Sequence, residues 1–440
     1  MKIHQEKIYS FETKPNGAGP LWCLGSSCIA VADDRIFVSG YETIEDVPPL
    51  NCARWILYEK HKNGWKILYR DTERTREPSP FCVFNDGRLL VSENPFMLEQ
   101  EASQGVTFPR ICEFSPPEYA LTGKILFRPC EPVVMVEHSY RNFAADRKTD
   151  ELILFHNKDY DRAYWNLFDK NGSCIRTGKL YWPWGYDYLK PQRIRICYSN
   201  VQLKEKAVYI FGTSDIMEPN PEWRKYKKQL TGREWDYDFR RVFFSYTPDI
   251  TVEPFRYWVE ISNREKTAGN ARNCDLLVDD EGIIHLLWME KSCDERLRAR
   301  FFADEPLNYS LRYARLKNQK ILDLKNIFFF PEGELLPSGI KNINFCWGRF
   351  HHTQTGKIYI FASVSGTTAT KETTAENWLV ELDSTGDIKS KQSVRFEKPF
   401  TSFHTAGIRN GTAPSDIIHI YGHIADKNDE MWYGEINIQD

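Results

Sequence analysis

One pattern recurs seven times along the chain and limits what it can fold into. Each copy has a polar approach, an apolar strand, a turn built on Asp, Asn or Gly, and a second apolar strand. The copies are "SSCIAVADDRIFVSGYE" from Ser26, "EPSPFCVFNDGRLLVSENP" from Glu77, "HSYRNFAADRKTDELILFHN" from His138, "RIRICYSNVQLKEKAVYIFGTSD" from Arg193, "RNCDLLVDDEGIIHLLWMEKS" from Arg272, "RFHHTQTGKIYIFASVSG" from Arg349 and "SFHTAGIRNGTAPSDIIHIYGHIAD" from Ser402. They start roughly 50 to 80 residues apart, somewhat above the periods of common propeller repeats.

Each copy is followed by a second strand pair, such as "ARWILYEKHKNGWKILYRD", "AYWNLFDKNGSCIRTGKLYW" or "NWLVELDSTGDIKSKQSVRF". These pairs alternate apolar and polar residues and turn at Asn-Gly or Gly-Asp, which is hairpin chemistry. The leading hairpin is more continuously apolar and belongs near the centre. The trailing hairpin is half polar and belongs at solvent. Four antiparallel strands per unit in a radial arrangement predict an all-β fold, a seven-bladed β-propeller. The last unit is one strand short, because the chain stops after "EMWYGEINI". The N-terminal "HQEKIYSFE" supplies a lone strand that pairs with the last blade and closes the ring, removing its open edges. The expectation is one propeller domain over residues 1–440, with strand 2–12 completing blade seven. Three insertions interrupt the rhythm: a basic, aromatic one at 217–241, one at 293–309 with room for a short helix, and a polar one at 366–377 expected to be a mobile loop. Insertions of this kind commonly wall a pocket on one face.

Composition narrows the function. The net charge is −3, which lacks the basic signature of a nucleic-acid binder. Aromatic residues make up 14% of the chain, with 13 Trp and 22 Tyr. They favour strands and serve as flat stacking surfaces in pockets. No run reaches the apolar length of a membrane span, so no membrane partner is expected. The start, "MKIHQEKIYSF", has no apolar signal core. A cytoplasmic location is expected as the sequence stands, or a periplasmic or secreted one if a signal was removed. The 11 cysteines are odd in number and scattered, with Cys28, Cys82, Cys197 and Cys274 inside apolar strands. They read as small buried hydrophobes rather than a disulfide framework. There is no Walker loop, no G-x-S-x-G elbow, no C-x-x-C pair and no H-E-x-x-H, so no cofactor is expected and no motif supports a dedicated zinc site, while a structural metal stays open.

In a propeller the innermost strands all run the same way along the central channel. Their leading ends converge on one face although they are far apart in sequence. Those ends carry Trp22, then Arg76 and Glu77, His138 and Tyr140, Arg193 and Arg195, Arg272 and Asn273, Trp347 with Arg349 and His351, and His404. Arginines bind carboxylates and sulfates bidentately, aromatics stack on sugar faces, and histidine exchanges protons near neutral pH. His138 and His404 are therefore proton-transfer candidates. Glu77 is either an acid/base or an ion-pair partner of Arg76 and Arg272. Arg193 and Arg195 share a face by alternation, and His351 and His352 point oppositely. His156, His285 and His419 fall within second strands and read as structural.

The segments "NGAGPLWCLGSSCIAVADDRIFVSG", "FNDGRLLVSENP", "HSYRNF" and "GIIHLLWMEKS" resemble the BNR-repeat, sialidase-like propellers. The resemblance runs to the branch with ulvan lyases, related polysaccharide lyases and a rhamnosidase. It spans nearly the whole chain without a short diagnostic signature. It implies action on an acidic or rhamnose-containing polysaccharide or oligosaccharide. In such lyases His and Tyr act as base and acid while Arg neutralises a uronate carboxylate, which by position implicates His138, Tyr140, Arg193 and Arg272. The chain departs from the pattern at Glu77, where such lyases often carry His. Strict Asp boxes and the early sialidase arginine motif are also missing.

The leading expectation is a carbohydrate-active enzyme, a polysaccharide lyase working by β-elimination at the channel mouth. The catalytic candidates are His138, Tyr140, His404 and Glu77. The substrate-binding candidates are Arg193, Arg195, Arg272, Asn273, Arg349, Trp22, Trp347 and Arg76. The alternatives are an exo-acting glycoside hydrolase, which needs two carboxylates about 5 to 10 Å apart, and a non-catalytic glycan- or protein-binding propeller. A carbohydrate partner and a monomer or weak homo-oligomer are expected.

Overall fold

The computed structural model describes residues 1–439 apart from residues 15, 16, 100, 103 and 137–139. Seven four-stranded antiparallel sheets are arranged as the blades of a β-propeller. Their innermost strands are Ile29–Ala32, Phe81–Val83, Arg141–Asp146, Ile196–Lys204, Asn270–Val278, Ile340–His352 and Phe400–Thr405. The seventh sheet runs Phe400–Thr405, Ile417–Ile424, Lys427–Asn437 and then Lys2–Ser10. Lys2 lies opposite Asn437 and Ser10 opposite Glu430, so the N-terminal strand closes the ring as the short last unit predicts. Among the described residues no helix is long and apolar enough to cross a membrane.

The hydrophobic pattern explains the radial order. Arg141–Asp146 is buried at every position, whereas the outermost strand of the second blade, Ala120–Leu126, has no buried residue. Neighbouring blades pack face to face. Ala144, Ile153 and Phe155 of the third meet Ile196, Val201 and Ile210 of the fourth in one apolar cluster.

Two of the three insertions carry helices. α1 (Pro221–Thr231) starts at Asn220, whose side chain accepts from the Glu222 and Trp223 N–H groups, and stops at Gly232 with φ 70°. α2 (Glu295–Phe301) starts at Asp294, which accepts from the Arg296 N–H. The helices meet through aromatic rings: Trp223 lies 5.4 Å from Phe302 and Tyr226 lies 5.6 Å from Phe301. Beneath α1, Lys227 is 2% exposed. It reaches Glu218 at 2.6 Å, Asp236 at 2.9 Å and Asp294 at 3.5 Å. Arg240 adds contacts to Glu218 at 3.0 Å and Glu265 at 3.2 Å. The third insertion differs from expectation. Strand Ile358–Thr368 continues through a short turn into Thr373–Leu382, so 366–377 is the tip of a regular hairpin. Its Thr-rich sequence suits a strand better than a loop.

The channel is filled. Residues 24–28 cross it and touch five blades. The Leu24 carbonyl accepts from Arg349, the Gly25 carbonyl from Asn200 at 3.3 Å, and Ser26 Oγ from the Phe143 N–H at 3.0 Å. The Ser27 carbonyl accepts from the Phe81 N–H at 2.8 Å, and Ser27 Oγ donates to the Thr405 carbonyl at 2.9 Å. Only glycine fits at position 25, because a Cβ there would lie 1.8 Å from the Ser199 carbonyl oxygen. Nearer the opposite face the 407–413 loop crosses as a second plug. Arg409 donates to the Gly25 carbonyl at 3.0 Å and to Asp275 at 2.6 Å. A void of about 30 Å³ remains between the plugs, room for about one water.

Candidate active site on the leading face

The innermost strands descend from one face and the second strands return to it. Connections from second to third strands therefore lie on that leading face, which places α1 and α2 there. Tyr140 precedes the innermost strand of the third blade. Its ring centroid lies 4.9 Å from that of Tyr198, and the Tyr198 hydroxyl donates to the Tyr140 hydroxyl at 3.4 Å. Tyr198 has φ 52° at a register shift between Cys197 and Asn200. A bulky residue in left-handed backbone is costly and marks a bulge that re-aims a side chain. Here the bulge sets Tyr198 among Tyr140, the Trp22 edge at 5.7 Å and Phe239 at 6.2 Å.

Two arginines join this aromatic group in different ways. Arg195 pairs with the Asp215 carboxylate and donates from Nε to the Asp215 carbonyl at 3.0 Å. Its guanidinium lies 4.1 Å from the Tyr160 ring centroid and 5.5 Å from those of Tyr140 and Tyr237. Burial works against its charge, but Asp215 and Tyr140 outweigh burial and raise its pKa. Arg195 therefore holds the frame together. Arg272 is half-buried, stacks 4.5 Å from the Phe239 ring centroid, and has no hydrogen-bond partner for Nε among the described residues. It opens into a cavity of about 290 Å³ walled by Tyr237, Phe239, Lys291 and Arg296 and by the ion-paired carboxylates of Asp236, Asp238, Asp294 and Glu295. Trp22 Nε1 is likewise buried without a hydrogen-bond partner among the described residues. Burial, with neighbouring Tyr198 and Asp215, pushes the Tyr140 hydroxyl far up, so it keeps its proton.

The structure thus brings together Trp22, Tyr140, Arg195 and Arg272. Other candidates go into the packing. Asn273 is 3% exposed and donates to the Tyr198 carbonyl and to Asn200, both at 2.7 Å, so it supports the bulge. Trp347 donates to the Phe403 carbonyl at 3.0 Å. Arg349 binds the Cys274 carbonyl at 2.8 Å, and burial lowers its pKa to about 10. His404 is 1% exposed and accepts the Cys28 N–H at 3.1 Å. These three lie deep on long or bulged innermost strands, below the leading face. Glu77 is turned inward, 4% exposed, and interacts with buried Arg141. Arg76 stands apart, with Nη2 3.3 Å from where a Cβ on Gly17 would sit. Arg193 does not share a face with Arg195. It belongs to a separate ribbon, Gln192–Arg193 against Trp184–Gly185, where it stacks on Tyr181 and Trp184 at 5.1 Å each. Strand alternation breaks between that ribbon and Ile196. His138 lies outside the described residues.

The second-strand histidines are structural. His285 bonds the Tyr313 hydroxyl and His419 the Tyr433 hydroxyl, both at 2.7 Å, and His156 packs 4.6 Å from Phe127. His351 bonds the Ser415 carbonyl at 2.6 Å, and burial pulls its pKa down to about 4. Sequence reasoning missed Tyr198, Asp215, Tyr237 and Phe239. The last two stand in the insertion, in "WDYDFRR", where ring density was the available signal.

No family model and no curated protein matches the sequence. Solved structures match the fold. A PL25 ulvan lyase, described as a new family of polysaccharide lyase, superposes with TM-score 0.54 at 10% identity, covering 98% of this chain and 95% of that one. An α-L-arabinofuranosidase from Fusarium graminearum gives TM-score 0.43 at 9% identity, covering 99% and 98%. A Synechocystis apocarotenoid oxygenase gives 0.47 at 11% identity, covering 100% and 91%. At 10% identity the likeness to the lyase is one of fold.

Proposed function

We propose that this protein is a carbohydrate-active enzyme, a polysaccharide lyase that cleaves an acidic glycan on its leading face. The observation that carries the reading is the meeting of an available arginine, Arg272, with a buried tyrosine pair and the half-buried rings of Trp22 and Phe239. β-Elimination needs positive charge at the uronate carboxylate, because that group becomes enolate-like when the adjacent carbon loses its proton. Arg272 meets that demand. It also needs a proton donor at the leaving oxygen, and Tyr140, which keeps its proton, meets that one. The base takes the proton alpha to the carboxylate, the bond to the leaving oxygen breaks, Tyr140 protonates that oxygen, and a carbon–carbon double bond forms. His138, two residues before Tyr140 in sequence, is the candidate base. Trp22 and Phe239 offer faces for sugar rings. A BNR-type ancestry fits the same reading. A hydrolase would need two available carboxylates, whereas Asp215 is engaged by Arg195 and Glu77 faces Arg141.

The test is incubation with a panel of uronate-rich polysaccharides while ultraviolet absorbance of unsaturated products and new reducing ends are followed together. Both signals should rise. Arg272→Ala and Tyr140→Phe should each lower kcat by about 10²–10³-fold, the scale of a lost transition-state donor, with unchanged circular dichroism. Reducing ends without unsaturated product would make the protein a hydrolase, and silence across the panel would leave a glycan-binding module.

A further inference from the structure

Below the leading-face site lies a second cluster with different chemistry. Cys23, Cys28 and His404 each present one ligand atom, and the three atoms lie within 4.8 Å of one another. The two sulfurs are 3.3 Å apart. Cys28 is fully buried and His404 is 1% exposed, while Cys23 is half-buried. His404 accepts the Cys28 N–H at Nδ1, so the neutral ring carries its proton on Nε2, beside the Leu21 backbone. The two cysteines bracket the first channel plug in "CLGSSC", and His404 comes from the last blade, 376 residues beyond Cys28.

Two thiols and an imidazole are a soft-to-borderline donor set, which selects zinc over calcium or magnesium. We propose that Cys23, Cys28 and His404 form a zinc site that fastens the channel plug to the last blade. With Zn–S bonds of about 2.3 Å, two sulfurs on a tetrahedral ion sit roughly 3.8 Å apart, so the pair needs to open by only about half an ångström. The fourth position falls to solvent on the half-exposed Cys23 side. On binding, the two thiols release two protons to solvent and the ion with its two thiolates is neutral overall. The lone pair available to the ion is the one on His404 Nδ1, and on binding the Cys28 N–H gives up that acceptor. No linear motif announces such a site, because its ligands come from opposite ends of the chain and meet only when the ring closes.

The proposal is independent of the carbohydrate reading and is tested without substrate. Full-length protein made in zinc-supplemented medium under reductant should carry one zinc per chain by mass spectrometry after gel filtration. The cobalt(II)-loaded form should show a thiolate-to-cobalt charge-transfer band. Cys23→Ser should lose both, whereas Cys130→Ser, at an exposed cysteine, should keep both. Chelation should lower Tm for the parent and leave Cys23→Ser unmoved. Folded parent protein without bound zinc would overturn the assignment. So would a cobalt spectrum unchanged in Cys23→Ser, or a Cys23–Cys28 disulfide in reduced preparations.

Discussion

Asp71 shows how a single buried group ties this fold to pH. It is 2% exposed, and its Oδ1 accepts the Thr72 N–H at 2.9 Å. Burial and the nearby Glu93 charge push its carboxyl up to about 7, against that hydrogen bond. In the unfolded chain an aspartate titrates near ~3.9. Between about pH 4 and 7 the folded protein therefore holds a proton that the unfolded chain has released. Asp71 then contributes a stability slope that falls with rising pH, approaching about 1.4 kcal/mol per pH unit. Asp71→Asn should flatten this slope and be more stable than the parent at pH 8, with little gain at pH 4. Urea unfolding of both proteins across this range checks it. Residues of this kind were the least legible in the sequence. An Asp after a strand looks like a turn, and Tyr198 looks like an ordinary strand position, because no local residue pattern marks the left-handed backbone of a bulge that packs against Gly25 from a distant part of the chain.

Between residue and ring stand the two helical insertions that wall the proposed site. Their footing is ionic. Burial opposes ionisation of Glu218, but Arg240 and Lys227 outweigh it and hold its carboxyl below the usual range. Removing one member of such a network leaves the others uncompensated, at a cost of about 3–5 kcal/mol. Lys227→Met should therefore release α1 before the blades melt. Amide hydrogen exchange would show lost protection over residues 221–231, with the sheet strands unaffected. Equal loss throughout would mean that the insertion unfolds only with the ring. At this scale the sequence was most readable for hairpins, where period-2 alternation and Asn-Gly turns act locally. It failed for Arg193 and Arg195, because a two-residue ribbon interrupts a strand that alternation alone would continue. It fails too for 366–377, where a polar run suggests a loop but the Thr-rich sequence forms a hairpin tip.

For the whole molecule, closure is the property that matters. Seven blades were legible because one hairpin pattern returned seven times, and the strand missing at one end of the chain was present at the other. The proposed site was legible only as a face, since the depth of Trp347, Arg349 and His404 depends on how far each innermost strand extends. Removing residues 1–11 should strip the last blade of its outer strand and bare the Lys427–Asn437 edge. The truncated protein should lose Tm and associate in a concentration-dependent way by light scattering. A monomer of parental Tm would show that closure contributes little.

The filled channel sets the traffic of the whole ring. With residues 24–28 spanning one level and Arg409 crossing the next, the described residues block the way from one side of the disc to the other. A molecule admitted at the leading face meets a dead end. Whatever binds there leaves by the face through which it came.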